Sequence, residues 1–171
     1  MSRQQPCRKI RKLYIAGTDT EGPSDEKARR PSPLRLVDGK DGGPKPQQIR
    51  LLLIEDSPFD ADLFREQLET LEAFHFDIRH CENLADSLES LNMSVFDVVV
   101  LDLTLPDCNG YNSFKRVHDQ ANGTPIIILT GLDERSISIR ALEDGAANYL
   151  IKNKSTAERI AASIMTAIAR R

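Results

Sequence analysis

The chain reads as an α/β protein, a doubly wound parallel sheet of five strands with helices on both faces. Three observations predict this. Leu51–Ile54, Val98–Leu101, Ile126–Leu129 and Tyr149–Ile151 are short, continuous apolar runs, the pattern of strands buried on both sides. The stretches between them carry apolar residues at helical spacing. The connections are short, as βα and αβ loops usually are, so right-handed crossovers would set helices on either face.

The elements follow in order. Ile49–Ile54 is the first strand. It ends at Ser57-Pro58, a helix cap followed by proline at the first helical position. Phe59, Leu63, Phe64, Leu68 and Leu71 then recur as the apolar stripe of a helix. Phe74–Arg79 alternates as a strand, and Asn83 caps a short helix containing Leu84, Leu88 and Leu91. Phe96–Asp102 is the most continuous apolar strand and hence central. After Pro106 and Asn109-Gly110, a third helix carries Tyr111, Phe114 and Val117. Pro125 opens the fourth strand, Asp133–Asp144 is a helix stopped by Gly145, and Ala147–Ile151 is the last strand. Ser155 and Glu158 have the spacing of a capping box that opens the final helix.

Residues 1–48 differ in kind. They hold 6 Pro, 5 Gly and 11 Lys/Arg against 6 Asp/Glu, with no sustained period, and are expected to be a disordered basic extension. Residues 49–171, with 12 Lys/Arg against 20 Asp/Glu, are the folded domain. Its acidity argues against nucleic acid as a ligand. No apolar run reaches the roughly 20 residues of a membrane span, and no secretory leader is visible at the N-terminus. Cys7, Cys81 and Cys108 form no paired framework. A cytoplasmic, reducing setting is therefore expected, with Cys108 a plain thiol.

Polar residues sit where the apolar runs stop: Glu55 and Asp56, Asp102, Thr130 and Lys152. In an open parallel sheet the chemistry collects beyond the carboxyl ends of the strands, so these groups are expected to converge. Two aspartates brought together repel unless a cation intervenes, and a hard divalent ion such as Mg²⁺ suits oxygen donors of this kind. Lys152 would repel that ion, so its role is to meet an anion arriving with it, for which a phosphoryl group is the natural choice. Thr130 can add a hydrogen bond to the same group. Asp102 is then placed as a carboxylate nucleophile.

Ile54-Glu55-Asp56-Ser57-Pro58, Val100-Leu101-Asp102-Leu103-Thr104-Leu105-Pro106-Asp107, Leu129-Thr130-Gly131 and Gly145-Ala146-Ala147-Asn148-Tyr149-Leu150-Ile151-Lys152 together resemble the receiver domain of bacterial two-component response regulators. The resemblance covers residues 49–171 and implies a flavodoxin-like (βα)5 fold with strand order 2-1-3-4-5. It implies Asp102 as phosphoacceptor and Asp56 as a direct Mg²⁺ ligand. Glu55 would hold metal-bound water, and Thr104 would offer its backbone carbonyl to the ion. Thr130 and Tyr149 would form the switch pair, and Lys152 would contact the phosphoryl group. A histidine kinase or phosphotransfer protein would be the donor. One departure is Asn153, where proline commonly follows the lysine to ease a cis peptide; a non-proline cis bond costs about 2.5–4 kcal/mol.

Each of these residues also has an ordinary structural use. Acids at a first helical turn suit the helix dipole, and a lone lysine is usually a solvated charge. Four coincidences in the right order favour a shared site. Alternatives are a degenerate receiver acting only as an interaction domain and an Asp-nucleophile phosphatase. The phosphatase reading lacks the second acid two residues after Asp102, where Thr104 stands. Flavin binding lacks a Ser/Thr/Gly-rich loop after the first strand. The three histidines, His75, His80 and His118, show no metal-ligand spacing. No output segment follows the last helix, so the signal is expected to pass by contact with an unidentified protein target. A homodimer through the last two helices is the other expected route, because Ile160–Ala169 lacks any charge.

Overall fold

A computed structural model describes residues 46–131, 135–152 and 154–171. The extension of residues 1–45, the first residues of the expected fourth helix and Asn153 lie outside the described residues. Five strands and five helices alternate. The strands are β1 (Gln47–Ile54), β2 (Phe74–Cys81), β3 (Val98–Asp102), β4 (Ile126–Thr130) and β5 (Asn148–Ile151). The helices are α1 (Pro58–Glu69), α2 (Leu84–Met93), α3 (Tyr111–Gln120), α4 (Arg135–Glu143) and α5 (Ala157–Ala169). All strand pairs are parallel, in the order β2-β1-β3-β4-β5. This is the flavodoxin-like arrangement.

The apolar runs are continuous because both faces of the central strands are covered. Leu52, Ile54, Val99, Leu101 and Ile128 point into one core with Leu84 of α2, Phe114 of α3 and Ala141 of α4. Their neighbours Leu51, Leu53, Val98, Val100 and Leu129 point into the other, with Phe64 and Leu68 of α1 and Ile160 and Ile164 of α5. Every residue of β3 and β4 is buried, which leaves no polar face to alternate with an apolar one. Truncating a fully buried aromatic such as Phe114 to alanine would cost about 3–5 kcal/mol.

The caps explain the breaks. The Ser57 side chain accepts from the Asp60 N–H, with Pro58 following at the first turn. Asn83 does the same for Asp86 in α2, and Asp107 adds two hydrogen bonds from Leu84 and Ala85 at 2.9 and 3.0 Å. Although slight burial opposes it, those N–H donors hold the Asp107 carboxyl below its usual range. Gly145 ends α4 at φ 108°, a left-handed conformation, and a Cβ there would stand 3.0 Å from His118 Nε2.

Several details differ from the sequence reading. β1 begins at Gln47 rather than Ile49, taking in two residues of the stretch expected to be disordered because they pair with Phe74 and His75 of β2, and β3 begins at Val98 rather than Phe96. β2 continues two residues past Arg79, to Cys81, because β1 pairs with it along its whole length. Phe59 is 75 % exposed. It lies about 140° around the helix from the core-facing Phe64, so the stripe is Ala61, Phe64 and Leu68 instead. The α5 cap is Thr156, whose hydroxyl accepts from Arg159 N–H, while the Ser155 hydroxyl turns back to donate to the Ile151 carbonyl. With Thr156 as cap, the third helical position is Arg159, so Glu158 closes no capping box. Finally, most of the uncharged length of α5 is used inside: Ile160, Ala161, Ser163, Ile164, Met165 and Ala167 are buried. No helix among the described residues is long and apolar enough to cross a membrane.

Candidate functional site

The carboxyl ends of β1, β3, β4 and β5 meet at one edge of the sheet. Register explains the meeting: Ile54 pairs with Leu101, Asp102 with Leu129, and Thr130 with Ile151, so the next residue of each strand reaches the same level. Glu55, Asp56 and Asp102 each present a carboxylate oxygen within 4.8 Å of the others. Glu55 is fully buried, Asp102 is 2 % exposed, and Asp56 faces solvent.

Lys152, at the end of β5, closes this group from the other side. Its Nζ donates to Asp102 Oδ2 at 2.8 Å and to Glu55 Oε1 at 2.8 Å, partners 50 and 97 positions away in the chain. A third acid, Asp60 in the first turn of α1, accepts from the same nitrogen at 3.2 Å. Burial pushes the Glu55 carboxyl up to about 7; the Lys152 hydrogen bond pulls it down and the neighbouring Asp102 charge pushes it up. Burial works against the Lys152 charge, but hydrogen bonds to Asp102 and Glu55 outweigh it and hold the ammonium protonated above its ordinary range.

The remaining site residues surround this centre. Asp102 Oδ1 accepts from the Thr104 N–H at 3.1 Å, which ties the carboxylate to its own loop. Gly110 N–H donates to the Leu103 carbonyl at 2.7 Å, and Thr104 forms a short bridge with Asn109, so this loop is braced. Thr130 is buried, with its hydroxyl donating to the Gly131 carbonyl at 3.1 Å. Tyr149 is half-buried on β5 against the core beside α4. Lys152 thus reaches the acids, whereas Asn153 beside it lies outside the described residues.

Two residues with a hand in the site escaped the sequence reading. Asp60 looks like an ordinary first-turn acid, and only its place one helical turn beyond Asp56 could have hinted otherwise. His80 carries no ligand spacing, yet its Nε2–H donates to the Glu55 main-chain carbonyl at 2.7 Å, from the neighbouring strand β2. Carbonyl oxygen only accepts, so Nε2 carries the proton.

The donor set suits a hard divalent cation. It consists of carboxylate oxygens with opposite exposure on adjacent residues, backed by a buried Glu55 oxygen, Oε2. That atom lies 2.7 Å from Lys152 Nζ but receives no directed hydrogen bond. Chemically, the arrangement can neutralise a concentrated negative charge and present Asp102 to it.

The chain is similar in sequence and fold to known proteins. A family model described as the response regulator receiver domain matches residues 51–164. The swarming motility regulation protein RssB of Serratia marcescens is 33% identical over 104 residues, 61% of this chain and 46% of that protein. The luminescence regulatory protein LuxO of Vibrio campbellii is 31% identical over 116 residues, 68% of this chain and 25% of that one. The chain thus spans about half or less of the length of these curated relatives. Among solved structures, the signal receiver domain of a LuxO repressor protein from Vibrio parahaemolyticus superposes with a TM-score of 0.62. It is 26% identical, and the match covers 72% of this chain and 92% of that one.

Proposed function

The chain belongs to the response regulator receiver domain family, and from that premise we propose that it is the phosphoacceptor of a two-component phosphorelay. A carboxylate oxygen of Asp102 attacks the phosphorus of a phosphohistidine on a histidine kinase or phosphotransfer protein. The new O–P bond forms as the P–N bond breaks, and the donor imidazole leaves. Glu55, Asp56, Asp102 and the Thr104 carbonyl would hold Mg²⁺, which supplies charge neutralisation for the transferring group. Lys152 binds a phosphoryl oxygen, and the Thr130 hydroxyl turns to donate to another. The chain acts by being modified rather than as a turnover enzyme, in keeping with relatives that carry the names of regulators.

The single observation that carries this reading is the Lys152 ammonium 2.8 Å from both Asp102 and Glu55. No local reason of capping or helix dipole brings a lysine across the sheet to those two acids. Output is assigned to the face of α4, β5 and α5, where Tyr149 is half-buried and Ile139 is 54% exposed. That face would contact a downstream protein or a second copy of this chain. We place the protein in the cytoplasm, where such donors work.

The test is labelling with acetyl phosphate, read as the mass gain of one phosphoryl group because the chain has no tryptophan to report by fluorescence. Wild type is expected to label only with Mg²⁺ present, and Asp102→Asn not at all. Undiminished labelling of Asp102→Asn would remove the assignment.

A further inference from the structure

Lys152 is held by three carboxylates, and they are not equivalent. Glu55 and Asp102 belong to the acid group that can take a cation, whereas Asp60 stands outside it. A divalent ion among Glu55, Asp56 and Asp102 would draw on the lone pairs the ammonium now uses and would repel it. Of the three present partners only Asp60 then stays open to the lysine. Among the described residues Lys152 is also the sole cation within ion-pair distance of Asp60, since nearby Arg65 pairs with Asp62 instead.

The local structure favours such a role. The Asp60 backbone N–H is fixed by the Ser57 hydroxyl at 3.3 Å, so the side chain springs from a capped first turn. Its carboxylate is 28 % exposed, leaving solvent to screen the pair only in part. A cavity of about 30 Å³ lies between α1 and α5, lined by Asp60, Leu63, Phe64, Lys152 and Ser155 among others.

We propose that Asp60 is a positioning residue that draws Lys152 off Glu55 and Asp102, yet holds it within the site, when a divalent cation fills the acid cluster. It touches neither the ion nor the transferred group; it acts through the lysine. The inference rests on the phosphoacceptor reading above and adds a residue to it.

The test is a double-mutant cycle on Mg²⁺ affinity, read by titration calorimetry on the full chain at neutral pH. Wild type, Asp60→Asn, Lys152→Met and the double variant are compared, with thermal unfolding as the check that each is folded. Asn keeps the shape of Asp60, and its helix cap comes from Ser57. Asp60→Asn is expected to weaken Mg²⁺ binding about 3- to 10-fold in the wild-type background, because the lysine stays on the cluster and competes with the ion. With Lys152→Met in place, the same change should alter affinity by less than about 2-fold. Asp60→Glu, which restores the charge, should recover most of the loss. An equal factor in both backgrounds would show a plain field effect of a nearby carboxylate and overturn the proposal, as would no effect in either. Should wild type take up no Mg²⁺, the phosphoacceptor reading falls and Asp60 falls with it; a flat cycle on a wild type that binds removes Asp60 alone.

Discussion

The two edges of the sheet serve the site in opposite ways. At one edge β2 runs for eight residues, each paired with β1. It delivers His80, whose ring donates to a main-chain carbonyl. At the other edge β5 has only four residues, paired with β4, and delivers Lys152 on a long flexible stem. The long edge fixes where Glu55 and Asp56 stand, through a backbone bond that no change of charge at the acids need disturb. The short edge supplies the cation, beside Thr130 and Tyr149, and contacts three acids that compete for it. A site that must receive an ion and then a phosphoryl group gains from this division, with one side rigid and the other able to exchange partners.

The largest effect is expected at the short edge. Lys152→Ala leaves two buried acids without their counter-charge and should lower stability by about 3 kcal/mol at pH 8 in EDTA. Added Mg²⁺ should restore most of that loss, since the ion replaces the missing charge. Urea unfolding with and without the metal measures both; a loss below about 1 kcal/mol would mean that β5 carries no charge the acids need.

The next largest is a pH dependence belonging to the centre between the edges. Burial lifts the Glu55 carboxyl from 4.5 to about 7, so between those values the folded chain holds a proton that the unfolded chain has released. Stability of the metal-free protein should therefore fall as pH rises from about 4.5 to 7, by an amount on the order of 2 kcal/mol. Lys152 is protonated throughout this window in both states and adds no slope. Glu55→Gln should flatten the profile. Parallel curves for wild type and variant would assign the slope to other groups.

The smallest effect is expected at the long edge. His80→Ala removes one hydrogen bond to a carbonyl and should cost about 1 kcal/mol, with His80→Gln recovering part of it through its amide N–H. Labelling at Asp102 should change only a few-fold in either variant. A loss of labelling as severe as that of Asp102→Asn would erase the contrast between the edges.

Much of this was legible before any coordinates. Continuous apolar runs such as Val98–Leu101 and Ile126–Leu129, short and bounded by turn residues, read as strands with both faces covered, and a parallel sheet brings their carboxyl ends to one side. That placed Glu55, Asp56, Asp102, Thr130 and Lys152 near one another. The less legible features depended on choices between equivalent local options. Ser155 and Thr156 can both cap a helix; Thr156 does so because Ser155 is taken by the Ile151 carbonyl. Phe59 fits a helical stripe by spacing, yet the helix is rotated to bury Ala61, Phe64 and Leu68. The uncharged stretch of α5 reads as surplus for a surface until the sheet is seen to bury most of it.

By itself, then, the sequence determined the alternation of strands and helices, the burial of β1, β3 and β4, and the level at which the polar residues emerge. Each of these follows from local pattern and from the 3.6- and 2-residue periods of the backbone. Only the tertiary structure decided that one ammonium serves Glu55, Asp60 and Asp102 together, and that His80 braces the Glu55 main chain. Those contacts join residues 25 to 97 positions apart. They depend on strand register and helix rotation, which the packing of the whole domain sets and no short stretch of chain encodes.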